Sequence, residues 1–148
     1  MVRLGAFALI FNSAGEILLC HRGDLDAWNL PGGKVEQGES PWDAVIRETR
    51  EEVSLTVDVE RLAGVYWKPE QSEIVFSFVC RTVGGSPRTS DEADDVRYFP
   101  INDLPRNTIR KQVERIHDAL ASPRDPVLRS QVGPGTRQLI EQGNWPAS

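Results

Sequence analysis

Three glutamates, Glu48, Glu51 and Glu52, stand at positions i, i+3 and i+4. On a helix that spacing gathers three carboxylates into one patch. Like charges so placed cost an isolated helix ~0.2–0.5 kcal/mol per pair. A hard divalent cation, which prefers oxygen ligands, would remove the repulsion. The plainer reading is a solvated acidic face balanced by Arg47 and Arg50. The preceding segment favours the cation. Pro31-Gly32-Gly33 is a tight turn whose backbone can approach closely, and a glycine carbonyl there can supply a further oxygen ligand. Glu39 precedes Arg47 by eight residues and can pair with it, tying the loop to the helix.

These residues need a helix with a defined start. Ser40 reads as its N-cap, Pro41 suits the first position, and Asp43 completes a signal resembling a capping box. The helix is expected from Pro41 to Val53, with Trp42, Val45, Ile46, Thr49 and Val53 facing the core. Upstream, Leu4–Phe11 and Glu16–His21 are strand-like runs joined by a turn at Asn12–Gly15, which predicts a hairpin. A loop from Arg22 to Gly38 follows. Downstream, Leu55–Trp67, Ile74–Val83 and Val96–Phe99 read as strands, the last preceded by the acidic loop Ser90–Asp95. Ile109, Val113, Ile116 and Leu120 predict a helix over Asn107–Leu120. Residues 121–148 hold four of the ten prolines and little periodicity. They read as a tail with one short helix around Thr136–Gln142, outside a domain formed by residues 1–120.

With 148 residues, 26% charged and 39% hydrophobic, the chain can bury the core of one domain. No apolar run approaches the ~20 residues that span a bilayer, so no membrane partner is expected. A net charge of −5 and a pI near 5.1 disfavour duplex nucleic acid as a partner. They leave room for a local basic pocket that takes a small anion. Cys20 and Cys80 lie in apolar runs without a CxxC pair, which excludes the usual zinc motifs and suits buried, reduced thiols. The residues from Met1 to Phe11 read as a first strand rather than an export signal, so a cytoplasmic location is expected.

The motif as a whole supports a more specific reading. Gly33, five residues, Glu39, seven residues, then Arg47-Glu48-Thr49-Arg50-Glu51-Glu52-Val53-Ser54-Leu55 resembles the Nudix box, G-x5-E-x7-R-E-U-x-E-E-x-G-U, with U aliphatic. Every charged position matches. Thr49 stands where the family has an aliphatic residue, and Ser54 where it has glycine. The resemblance extends over roughly residues 3–120 and places the chain with MutT-related Nudix hydrolases.

The resemblance implies an α+β fold, a mixed β-sheet sandwiched between α-helices. It implies Mg²⁺- or Mn²⁺-dependent cleavage of a nucleoside diphosphate linked to another group X. Carried over by position, Glu48, Glu51, Glu52 and the Gly32 carbonyl are metal ligands, and Glu39 and Arg47 are an orienting pair. The general base is Glu48 or Glu52. Glu92 matches the distant acidic residue that family members add from a later loop, with Asp91, Asp94 and Asp95 as rivals. Arg22 is placed to hold a phosphate, and Trp28, Tyr66 or Trp67 to stack a base. Pro69 is a weak marker of ADP-ribose hydrolysis, whereas Asn29 and the acidic loop suit a purine. X therefore stays open among ADP-ribose or another nucleotide sugar, a (d)NTP and a dinucleoside polyphosphate. A homodimer is an expectation from the same family. A non-catalytic nucleotide-sensing module is the alternative, and the complete carboxylate set argues against it. A structural module acting through the proline-rich tail rests on composition alone. His21 and His117 are read as structural or exposed.

Overall fold

Two apolar strands organise the molecule because each is covered on both faces. In the computed structural model, which describes residues 1–146, these are β1 (Arg3–Ile10) and β2 (Ile17–Arg22). Successive strand residues point to opposite faces. Ala6, Ala8 and Ile10 of β1, with Leu18 and Cys20 of β2, enter one core cluster. Leu9, Ile17 and Leu19 enter a second.

The expected hairpin does not form. The turn itself is present, with Asn12 N donating to Glu16 O at 3.0 Å and Gly15 N to Asn12 O at 3.0 Å. Past a single Phe11–Ile17 bridge, however, the two strands part and join different sheets. Their alternation explains this. A hairpin buries one face, whereas both faces of both strands are apolar and need cover.

β1 lies between the short β4 (Gly32–Lys34) and β6 (Glu73–Gly85), parallel to β6. β6 pairs antiparallel with β5 (Leu55–Lys68). β2 lies between β3 (Ala27–Asn29) and β7 (Asp95–Phe99) in a three-stranded antiparallel sheet. The segments β3 and β4 fall inside the stretch Arg22–Gly38, for which the sequence predicts a loop. At three residues each they are too short for a period-two pattern.

Helix α1 (Pro41–Val53) packs on β1, β4 and β5, and α2 (Arg110–Ala121) contributes Ile116 and Ala119 to the second cluster. Sheets flanked by helices make this the expected α+β sandwich. The α1 cap forms as the sequence indicates, with Asp43 N donating to Ser40 Oγ at 3.0 Å. Its buried residues are Ala44, Val45, Thr49, Glu52 and Val53. Trp42, expected in the core, is 57% exposed. A carboxylate, Glu52, lies on the buried side instead.

Chain beyond α2 is also part of the architecture. β8 (Val127–Ser130) runs parallel to β5 at the edge of the five-stranded sheet. It lacks an apolar alternation because its side chains are mostly exposed and backbone pairing holds it. The short helix α3 (Thr136–Glu141) follows. Among the described residues, no helix is long and apolar enough to cross a membrane.

Candidate active site

Helix α1, which carries Glu48, Glu51 and Glu52, is fixed at both ends. Ser54 takes the left-handed conformation at φ 63°, where the family pattern has glycine, and its N–H donates to Arg50 O at 3.1 Å. The chain then turns into β5. At the other end, the Gly32–Gly33 turn comes against α1. A Cβ on Gly33 would stand 2.9 Å from the Glu48 carboxyl carbon. A larger residue would push that carboxyl aside, and at the neighbouring Gly32, φ 150°, a Cβ would run into the backbone of Ala6 and Phe7, so only glycine fits there.

Glu48, Glu52 and Glu92 converge, each offering an oxygen within 4.8 Å of the others. Glu52 is 3% exposed. Cys20 Sγ donates to its Oε1 at 3.0 Å, and Gly32 N donates to its Oε2 at 3.2 Å. Burial outweighs both donors and lifts the Glu52 carboxyl to about 7. Burial also raises Glu48, against the pull of Arg47. The Cys20 thiol is pushed well up, first by burial and then by the Glu52 charge, so it stays a neutral donor.

Glu92 reaches the cluster through an anchored loop. Ala93 is fully buried, while Glu92 N and Ala93 N donate to Ser90 Oγ at 3.3 and 3.2 Å. Its rivals are engaged or turned elsewhere. Asp94 contacts His21 Nδ1 at 2.6 Å, and Asp95 pairs with Arg97 at 2.9 Å. Asp91 lines the cleft without joining the three-carboxylate group.

Behind the cluster, Arg47 acts as a hub. It donates to Glu39 through Nε at 2.7 Å and Nη2 at 3.0 Å. Its remaining donors reach Glu48, Glu51 and the Lys34 carbonyl, each at 3.1 Å. The hydrogen bonds to Glu39 dominate in raising the guanidinium's pKa and in lowering that of the Glu39 carboxyl. Glu51, expected beside the other glutamates, is half exposed and sits on Arg47 outside the cluster. The reason is its position one residue before Glu52, which turns it toward the solvent side of α1.

The carboxylates line a cleft of about 610 Å³ together with Arg22, Asn29, Gly32 and Gly33. Arg22 is paired to Asp24 at 2.9 Å. Two expected base-stacking residues are elsewhere. Tyr66 is fully buried, with its hydroxyl donating to Asp118 at 3.0 Å, and exposes no ring face to a ligand. Trp28 packs edge-on against Phe99 and His21, with ring centres at 4.9 and 5.2 Å. Strand alternation turns Trp28 to the second core and its neighbour Asn29 to the cleft. Trp67 is partly exposed but borders a shallow pocket at the β5–β8 edge.

A second cleft, about 320 Å³, opens from the same Arg22, Asn29 and Gly32–Gly33 wall. It runs between α2 and the segment before α3, with Arg110, Lys111, Arg115 and Arg137 among its lining. None of these four was singled out from the sequence, and neither was Cys20 as a partner of Glu52. Scattered single basic residues and a lone cysteine carry no motif. Only the register of β2 and the return of the C-terminal chain bring them to the site.

Comparison with known proteins follows this geometry. A family profile described as the NUDIX domain matches residues 1–120. A MutT-like protein of Streptomyces ambofaciens is 32% identical over 135 residues, 91% of this chain and 85% of that protein. An 8-oxo-(d)GTP phosphatase of Mycolicibacterium smegmatis is 33% identical over 89 residues, 59% of this chain and 28% of that protein. A crystal structure of an ADP-ribose pyrophosphatase from Streptococcus suis superposes with a TM-score of 0.76 at 26% identity, covering 88% of this chain and all of that one.

Proposed function

The chain belongs to the Nudix family of pyrophosphohydrolases, and from that premise we propose that it hydrolyses the pyrophosphate linkage of a nucleoside diphosphate joined to X, with Mg²⁺ or Mn²⁺. The observation that carries this reading is the convergence of Glu48, Glu52 and Glu92 beside the Gly32–Gly33 turn, at the wall of a cleft also lined by Arg22. We assign this chemistry to residues 1–120, with residues 121–148 as a C-terminal extension.

The donor set fits a hard divalent cation. Three carboxylates approach within 4.8 Å, and Arg47 is the one cation of the chain bonded to any of them among the described residues. All the donors are oxygen, and the glycine turn lies close against the Glu48 carboxyl. Glu48, Glu52, Glu92 and the Gly32 carbonyl would hold the ion, with Glu51 joining after release from Arg47. When bound, such an ion neutralises the pyrophosphate oxygens and lowers the pKa of a water.

The chain's own residues do the rest. Arg22, which lines the same cleft, binds a phosphate oxygen. Glu39 and Arg47 hold α1 against the loop, so that the carboxylates keep their spacing. Glu48 is the better placed proton acceptor. It lines the cleft with one oxygen engaged by Arg47, whereas both oxygens of Glu52 already accept hydrogen bonds. Attack by water on phosphorus breaks the P–O–P bridge and leaves two phosphate products.

The test is hydrolysis of ADP-ribose, a nucleotide sugar, nucleoside triphosphates and dinucleoside polyphosphates, with products identified by mass. Turnover is expected with Mg²⁺ and not in its absence. Glu52→Gln should lower the rate ~100-fold or more while the fold survives. A folded, metal-supplied protein inactive on the whole panel would instead support a nucleotide-sensing module.

A further inference from the structure

The second cleft has a charge that scission alone does not require. Arg115 lies at its wall, 2% exposed. Among the described residues its one hydrogen bond runs from Nε to Gln131 Oε1 at 3.0 Å. Its guanidinium carbon stands 5.6 Å from the Phe7 ring centre and 5.4 Å from that of Tyr66. No carboxylate pairs with it there. Burial of a cation is unfavourable unless an anion or a full set of acceptors compensates it. One carboxamide oxygen and two ring faces are an incomplete set.

The nearest carboxylates, Glu73 and Glu114, act on it without contact and are engaged elsewhere, Glu114 accepting from Gln131 Nε2 at 3.0 Å. Lys111 Nζ donates to the Gly133 carbonyl, a neutral partner, at 2.9 Å, and Arg110 is exposed. Arg137 of α3 shares Asp24 with Arg22, at 3.2 and 2.9 Å, so two cations meet one carboxylate. Glu73, the acid of this cleft, is already paired with Lys68 at 2.9 Å. In a chain of net charge −5, this is a local excess of positive charge, with Arg110, Lys111, Arg115 and Arg137 against the one lining acid Glu73. It abuts the catalytic cleft through Gly32 and Gly33.

We propose that this cleft seats a second anionic group of the substrate, a phosphate beyond the linkage that is cut, on Arg110, Lys111, Arg115 and Arg137. The inference rests on the hydrolase reading and narrows it. X ends in phosphate, as in a nucleoside triphosphate or dinucleoside polyphosphate, rather than in a neutral sugar. The segment carrying β8 and α3 is then part of the specificity apparatus. It supplies Arg137 directly, and Gln131 holds Arg115 while its Nε2 donates to the Lys111 carbonyl at 2.7 Å.

Two measurements test this. Calorimetric titration with inorganic tripolyphosphate, without divalent metal, should show binding to the native chain and to Glu48→Gln. The exposed pair Arg110→Ala/Arg137→Ala should weaken it by ~10-fold or more. Equal binding by the double variant, or none by the native chain, overturns the proposal. This arm needs no turnover, so it stands apart from failure of the hydrolase reading. Separately, kcat/KM for a nucleoside triphosphate and for diadenosine tetraphosphate is compared with that for ADP-ribose. In the double variant the ratio of either to ADP-ribose should fall ~10-fold or more, through KM. A fall in one ratio alone identifies which phosphate source the cleft takes. Unchanged ratios, with all substrates slowed alike, place these cations on the scissile linkage and refute a second site.

Discussion

Replacing Arg47 by alanine removes five hydrogen bonds from one side chain: two to Glu39 and one each to Glu48, Glu51 and Lys34 O. The site is neither fully buried nor open. Arg47 is 26% exposed, Glu39 16% and Glu48 13%. Exposed pairs contribute ~0.2–1 kcal/mol, whereas breaking a buried pair costs ~3–5. An intermediate site with a bidentate contact should lose ~2–3 kcal/mol. For a domain of this size that corresponds to a fall in Tm of roughly 5–10 °C. Glu39→Gln keeps the shape and removes the charge, so it should cost less. A double-mutant cycle between Arg47→Ala and Glu39→Gln, measured by urea unfolding, should give a coupling of ~1–2 kcal/mol. Turnover should fall as well, because Glu48 loses the partner that fixes it. Additive effects within ~0.5 kcal/mol would show that the pair does not tie the loop to α1.

Four further outcomes are expected. Thr49→Val, at a fully buried position whose Oγ1 has no hydrogen-bond partner, should raise stability by ~1 kcal/mol, and a loss of that size would show that the hydroxyl is satisfied. Ser54→Gly relieves a side chain at φ 63° and should stabilise by up to ~1 kcal/mol in chemical denaturation, whereas destabilisation would mean that the left-handed turn is unstrained. Glu92→Gln should reduce turnover or metal response ~10-fold or more, with Asp95→Asn nearly silent, and the reverse order in steady-state assays would mean the loop register is wrong. For His21, burial alone lowers the pKa, but hydrogen bonds to Asp26 and Asp94 outweigh it and raise the value above 6.5. The stabilisation is then fully present below pH ~6.5 and fades as pH rises through the folded-state value. The stability gap between native chain and His21→Gln should shrink on that rise, and a gap that widened would reverse the assigned protonation.

What the sequence determined by itself is local. The start of α1 follows from Ser40 and Pro41, because caps are satisfied by residues a few positions apart. The Glu39–Arg47 pair and the close approach of Gly33 to Glu48 belong to one continuous motif. The offset of Glu92 to the strand Val96–Phe99 singled it out in the sequence, and the fold brings it within 4.8 Å of Glu48 and Glu52. Tertiary structure alone decided whatever depends on contacts between distant segments. β1 and β2 carry an adequate hairpin turn, yet separate into two sheets because both faces of each need cover. One step of strand alternation sends Trp28 to the core and Asn29 to the cleft, and Tyr66 is buried by an Asp118 fifty-two residues away. Cys20 meets Glu52 only through the register of β2 against α1. Arg115 and Arg137 face the cleft only because residues 127–141 return along β5 and α2. The short helix expected around Thr136–Gln142 forms as Thr136–Glu141, but backbone pairing at a sheet edge leaves almost no mark in side-chain pattern, so β8, which returns that helix to the cleft, was not legible.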